Sequence, residues 1–195
     1  MKKYLISIGF LIALFAVKSQ SLRIGLKGGL NFPSAEAFGL DGTDVSGQSG
    51  YHAGLFASFK ISKIAIQPEL LYSFTKFEYE NAVTSSILNS TTTAYLTVPI
   101  MVKIYLIQGI NIQAGPQFGL LVGGETSVQN QVNKVKDNLK ASDMAFGIGA
   151  GIDLPVGLDI HMRYNFGITD NSEITGEMKI NTFQISLGYA IFKIK

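Results

Sequence analysis

Cysteine is absent from this chain, and that removes several kinds of chemistry at once. There is no disulfide framework, no thiolate metal site and no cysteine nucleophile. No cysteine follows the N-terminal apolar run, so an acylated lipoprotein anchor is excluded as well. Charge is also scarce, with Asp, Glu, Lys and Arg making up 15% of the residues. The formal charge of +2 includes Lys2, Lys3 and Lys18, and without those three it is about −1. Such a chain has no surplus of positive charge for a polyanion, and nucleic acid is not an expected partner. Beyond the first apolar stretch no run of 18 apolar residues exists, which rules out a membrane-spanning helix.

That first stretch has three parts. Met1-Lys2-Lys3 is positive, Tyr4 to Val17 is an uncharged, mainly apolar run, and Val17-Lys18-Ser19-Gln20 offers compact residues at the −3 and −1 positions. These are the parts of a secretory signal peptide. Residues 1–19 are expected to be removed, leaving residues 20–195 as one exported domain.

What the remainder does have is a rhythm. Apolar-alternating runs fall near 22–32, 49–61, 64–79, 94–105, 110–123, 143–154, 157–169 and 180–192. The gaps between them are alternately long (33–48, 80–93, 124–142, 170–179) and very short (Ser62-Lys63, Leu106 to Gly109, Pro155-Val156). Antiparallel strands that cross a membrane put short turns on one side and longer loops on the other. The rhythm therefore predicts an all-β fold: an eight-stranded antiparallel up-and-down transmembrane β-barrel, with short periplasmic turns and longer outer loops, in the bacterial outer membrane.

Within the runs the alternation is strict. Leu158, Ile160, Met162, Tyr164, Phe166 and Ile168 alternate with Asp159, His161, Arg163, Asn165 and Gly167. Ile64, Ile66, Pro68, Leu70, Tyr72 and Phe74 likewise alternate with Ala65, Gln67, Glu69, Leu71, Ser73 and Thr75. A period of two is the strand signature, and the polar, Gly-rich face suits a crowded lumen. Nine aromatic residues fall on the apolar face toward the long-loop end: Phe32, Tyr51, Tyr72, Phe74, Phe118, Phe146, Tyr164, Phe166 and Phe183. Rings so placed form a girdle at one membrane interface. A thinner second row is expected from Phe59 and Tyr189. Pro68, Pro99 and Pro116 lie inside strands and predict local breaks in the ladders.

Several segments together resemble the outer-membrane β-barrel domain family grouped with PorT-like and "porin family" proteins of the Bacteroidetes lineage. They include Gly25-Leu-Lys-Gly-Gly-Leu-Asn31, Gly50-Tyr-His-Ala-Gly-Leu-Phe56 and Ile66-Gln-Pro-Glu-Leu-Leu-Tyr72. Tyr95-Leu-Thr-Val-Pro-Ile100, Ala114-Gly-Pro-Gln-Phe-Gly119, Arg163-Tyr-Asn-Phe-Gly-Ile-Thr169 and Phe183-Gln-Ile-Ser-Leu-Gly-Tyr189 complete the set. The resemblance implies a small outer-membrane barrel inserted by the barrel-insertion machinery and in contact with outer-membrane lipid and lipopolysaccharide. It brings no catalytic residue and no cofactor.

The residues themselves agree on chemistry. Gly147, Gly149 and Gly151 share one strand face with no helix pattern behind them, so they read as space for bulky lumen groups rather than as a nucleotide loop. Asp159 and His161 share the lumen face and form a possible carboxylate–imidazole couple, but beside the short Pro155-Val156 turn, far from the outer rim. No catalytic, cofactor or metal site is expected, and the chain is not read as an enzyme. An eight-stranded barrel is only wide enough for side chains to fill, so charges inside it must pair. Glu69 and Arg163 lie at similar depth, roughly 20 Å from the short turns at about 3.3 Å per residue. They are expected to pair, with Lys103 or Lys27 completing a plug. The functional expectation is a plugged, non-enzymatic barrel with a structural or surface-interaction role. The alternative is a narrow porin-like or hydrophobic-ligand transport barrel.

Overall fold

The computed structural model describes residues 21–37, 43–81, 87–128, 131–134, 142–169 and 178–194. Residues 1–19, read above as a signal peptide, lie outside them. The elements are β1 (Ser21–Ala37), β2 (Thr43–Ile61), β3 (Ile64–Asn81), β4 (Ile87–Tyr105), β5 (Ile110–Val128), β6 (Gln131–Lys134), β7 (Ser142–Asp153), β8 (Leu158–Gly167) and β9 (Met178–Ile194). Sequential strands pair antiparallel, and β9 returns to β1 along Ala37↔Met178 to Leu22↔Ile194. The sheet therefore closes into an eight-stranded barrel of β1–β5 and β7–β9. Closure leaves no backbone group of the wall without a partner strand, which is what hydrocarbon demands of a spanning β-structure.

Of the fourth long gap, residues 170–177 lie outside the described residues, and in the other three the strands run farther than the alternation indicates. β1 continues through Ala37 and β2 begins at Thr43, so much of 33–48 is strand rather than loop. The same holds for β3 and β4 across 80–93, and β5 with β6 takes up part of 124–142. The short β6 pairs with Glu125–Val128 of β5, beyond the closed wall. These segments contain Ser, Thr and Asn in place of the alternating apolar residues. An apolar period of two appears only where one face meets lipid, so strand that continues past the membrane loses that signal.

The prolines sit at ladder interruptions with the register kept. Pro68 falls between Phe56↔Glu69 and Phe59↔Ile66, and both Pro99 and Pro116 border the interval between Pro99↔Gln117 and Val102↔Ala114. A missing N–H is tolerated where no ladder bond is called for. The short turns use Ser62 and Gln108 at positive φ of 56° and 44°, with Gly109 and Gly157 at 86° and 100°.

Outward and inward faces separate cleanly in the wall. Of the nine ring residues, eight are exposed, and Phe74 is partly covered by Tyr51, with ring centroids 5.0 Å apart. Phe32 and Phe183 lie at 6.3 Å, and Tyr164 and Phe166 at 4.7 Å. Tyr189 is exposed, and Phe59, paired with Leu22 and Ile66, is buried.

Candidate functional site

The inward face of β1 reads Arg23, Gly25, Lys27, Gly29, Asn31, a long or polar side chain at every fourth residue with glycine between. Each of the three polar residues marks one tier of hydrogen bonds inside the barrel. The tiers follow one another about 13 Å apart along the strand at 3.3 Å per residue.

The tier at the short-turn mouth centres on Asp153. Arg23 Nη1 donates to its Oδ2 at 3.0 Å, Tyr105 Oη to the same oxygen at 2.6 Å, and Asn111 Nδ2 to Oδ1 at 3.1 Å. Lys103 Nζ lies 3.2 Å from both carboxylate oxygens, and His161 Nε2 lies 3.0 Å from Oδ1 and 3.0 Å from Lys103 Nζ. Arg23 also reaches Asp159 at 2.5 Å. The couple expected between Asp159 and His161 is therefore absent from this tier: Arg23 holds Asp159, and His161 turns to Asp153. Neighbours at i and i+2 on one strand project in parallel, whereas Gly151, opposite His161, leaves space into which the imidazole leans. Lys103 and Arg23 occupy the places a metal cation would take, and among the described residues no cluster of metal-ligating side chains is found.

The middle tier centres on Glu69. Lys27 Nζ and Gln67 Nε2 each donate to Oε1 at 2.8 Å. Arg163 straddles the carboxylate, with Nη2 to Oε1 at 2.9 Å and Nη1 to Oε2 at 3.3 Å, and Nη2 also reaches Gln113 Oε1 at 3.0 Å. Thus Glu69, Arg163 and Lys27 come together, while Lys103 does not join them. In the β4–β5 ladder Lys103 is opposite Gln113, a member of this tier. Its flexible four-carbon stem nevertheless carries the ammonium to Asp153.

The third tier was not anticipated. His52 Nδ1 lies 2.7 Å from Asn31 Oδ1, and His52 Nε2 lies 2.9 Å from Ser186 Oγ. Gln184 Nε2 donates to the same Asn31 oxygen at 3.0 Å, and Asn31 Nδ2 donates to Tyr51 O at 3.3 Å. The amide bond to Tyr51 O fixes the orientation of Asn31, so its oxygen faces the imidazole. The available signal was inward parity for all four residues. A Ser–His–carboxamide order is that of a nucleophilic relay, but here Ser186, His52 and Asn31 are all buried in packed lumen. Their arrangement joins β1, β2 and β9 and presents no nucleophile to an incoming carbonyl.

Below the Asp153 tier the lumen opens into a cavity of about 880 Å³, lined among others by Arg23, Lys60, Tyr105, Asp153 and Lys193. Lys60 Nζ sits 3.8 Å above the Tyr105 ring centroid. Tyr105 and Asp153, which are bonded to each other, both line the cavity. Lys103, Met101, Gln67 and Asn111 are each at 0% exposure.

Residues 18–173 match the sequence pattern of the family described as outer membrane protein beta-barrel domain. The chain belongs to that family. Among solved structures, the barrel is similar to Neisserial surface protein A, at 8% identity with a TM-score of 0.56, over 86% of this chain and 97% of that one. It is also similar to Ail, the attachment invasion locus protein of Yersinia pestis, at 14% identity with a TM-score of 0.54, over 88% of this chain and 98% of that one. These likenesses are of fold. No curated protein matches the sequence. Family membership and the closed eight-stranded wall place the protein in the bacterial outer membrane.

Proposed function

We propose that the protein is a non-enzymatic outer-membrane barrel whose lumen is a structural plug and whose outer extensions carry a surface-interaction role. The observation that supports this most is the uneven height of the wall. A strand crosses a bilayer in about 9–11 residues. β7 and β8 have 12 and 10, close to that need. β2 to β5 have 18 or 19 and continue well past the rings of Tyr51, Phe74 and Phe118. The paired ends of β2 to β5 thus rise beyond the girdle that those rings form at the membrane interface. Polar strand held above a membrane by a rigid, closed barrel is a platform for contact. On the same reading residues 1–19 are cleaved by signal peptidase, the insertion machinery folds the remainder, and outer-membrane lipid and lipopolysaccharide surround it. The finer affiliation, with the PorT-like small barrels, rests on the segments quoted above.

Photo-crosslinkers at Gly124 on β5 and at Ile168 beyond β8, in intact cells, test the interaction role. Discrete adducts from Gly124 and few from Ile168 are expected. An absence of adducts at both positions would contradict it. The narrow transport alternative draws on the cavity of about 880 Å³ at the short-turn mouth. It gains only if the purified barrel passes solute through vesicles.

A further inference from the structure

The short-turn mouth gathers cations on three neighbouring strands. Lys60 of β2 is opposite Ser21 at the start of β1, and Arg23, two residues farther along β1, is opposite Lys193 of β9. All three line the cavity of about 880 Å³, whose lining contains one carboxylate, Asp153. That carboxylate is already bonded by Arg23, Lys103, Tyr105 and Asn111. Arg23 Nη2 lies 3.4 Å from Gly157 O, and Lys193 Nζ donates at 3.1 Å to Pro155 O in the same turn. Lys60 Nζ stands over the Tyr105 ring. A carbonyl or a ring face holds an ammonium without cancelling its charge, so the mouth presents positive potential to an anion.

The outer face of the same rim is apolar. Ile24, Ile61, Phe192 and Ile194, each next in the chain to one of those cations, are exposed. The turns continue this surface, with Leu106 exposed and Ile107 and Val156 at 70% and 72%. The two turns concerned are joined, since Asp153 N donates to Gly109 O at 3.0 Å. Apolar side chains bared to that degree at turn tips suit the membrane interface rather than water. A rim with an apolar outer face and a cationic inner face belongs at the depth where acyl chains meet headgroups.

We propose that the mouth cavity holds the phosphate group of an anionic phospholipid from the leaflet on the short-turn side. Its acyl chains lie on the outer wall over Ile61, Phe192 and Ile194, and its headgroup folds over the rim. Lys60 and Lys193 donate to the phosphate, and Arg23, already spent on two aspartates, adds its field. Ligand sites commonly enclose about 300–1,000 Å³, and this cavity takes a headgroup without its chains. The site is at the opposite end of the wall from the outer extensions, so it stands or falls apart from the surface role proposed above.

Native mass spectrometry of the purified barrel in uncharged detergent tests this, with phosphatidylglycerol and phosphatidylcholine supplied in equal amounts. One phosphatidylglycerol is expected to stay bound, about tenfold in excess of phosphatidylcholine. The Lys60→Met/Lys193→Met double variant should lower its retention about tenfold, and Lys60→Arg/Lys193→Arg should keep it. Lys63→Met, which alters an exposed lysine outside the cavity lining, should change nothing. Glycerol phosphate at the lipid's concentration should not compete, because it lacks chains. Equal retention of the two lipids by the unmodified protein would overturn the site. So would undiminished retention in the double Met variant, or an equal loss in Lys63→Met. Displacement by glycerol phosphate would reveal a site for free phosphate and overturn the lipid as occupant.

Discussion

Glu69 and Asp153 are both single carboxylates gathering cations inside one barrel, yet their surroundings differ. Asp153 lies at the mouth and lines an open cavity, and its partner Arg23 keeps 13% of its side-chain surface exposed. Glu69 lies deeper, with its side chain at 0% and those of Lys27 and Arg163 at 2%. Asp153 has a second carboxylate, Asp159, sharing its cations, whereas Glu69 has none. The depth of a charged hub and the number of its counter-charges together set how much its loss should cost. Water can reach the mouth and replace a lost partner there. The side chains of the middle tier are almost fully buried.

The sharpest way to break this comparison is to remove each carboxylate in turn. Glu69→Ala leaves two buried cations without their carboxylate and should destabilise by about 3–5 kcal/mol in urea unfolding, the usual cost of breaking a buried pair from one side. Asp153→Ala should cost less, about 1–3 kcal/mol, because water entering from the mouth solvates what is left. Equal losses would mean that depth does not matter here. Arg163→Ala should also destabilise, and the Glu69→Ala/Arg163→Ala double variant should lose less than the sum. Strictly additive losses would show that the two side chains do not act as a pair. The smallest effect is expected from Tyr105→Phe, which removes one hydrogen bond to Asp153 beside the cavity and should cost about 1 kcal/mol.

Much of the wall is legible in the sequence, because a strand half in lipid and half in a polar lumen must alternate. Strand seven of that alternation is β8, and its inward and outward residues are those of the structure from Leu158 to Gly167. Glu69 and Arg163 could be matched by depth, since both strands leave short turns whose positions fix the count. Two things were not legible. Parity says that Lys103 points inward, but not where a flexible side chain ends, and its ammonium lies at Asp153 rather than Glu69. Nor does it give the stagger between neighbouring strands, and the Asn31–His52–Ser186 tier depends on that, because His52 and Ser186 both stand opposite Gly29. Beyond the rings the alternation stops, because both faces of the strand leave the membrane, and β6 leaves no trace in an apolar pattern.

The most direct test of a lumen closed by these tiers is electrical. The unmodified protein, reconstituted in planar bilayers, should show no steady ion conductance. Lys103, Met101 and Gln67 are fully buried, and eight strands leave an interior only wide enough for side chains. Reproducible, large and long-lived channels from that same protein would contradict a plugged barrel and favour transport in its place.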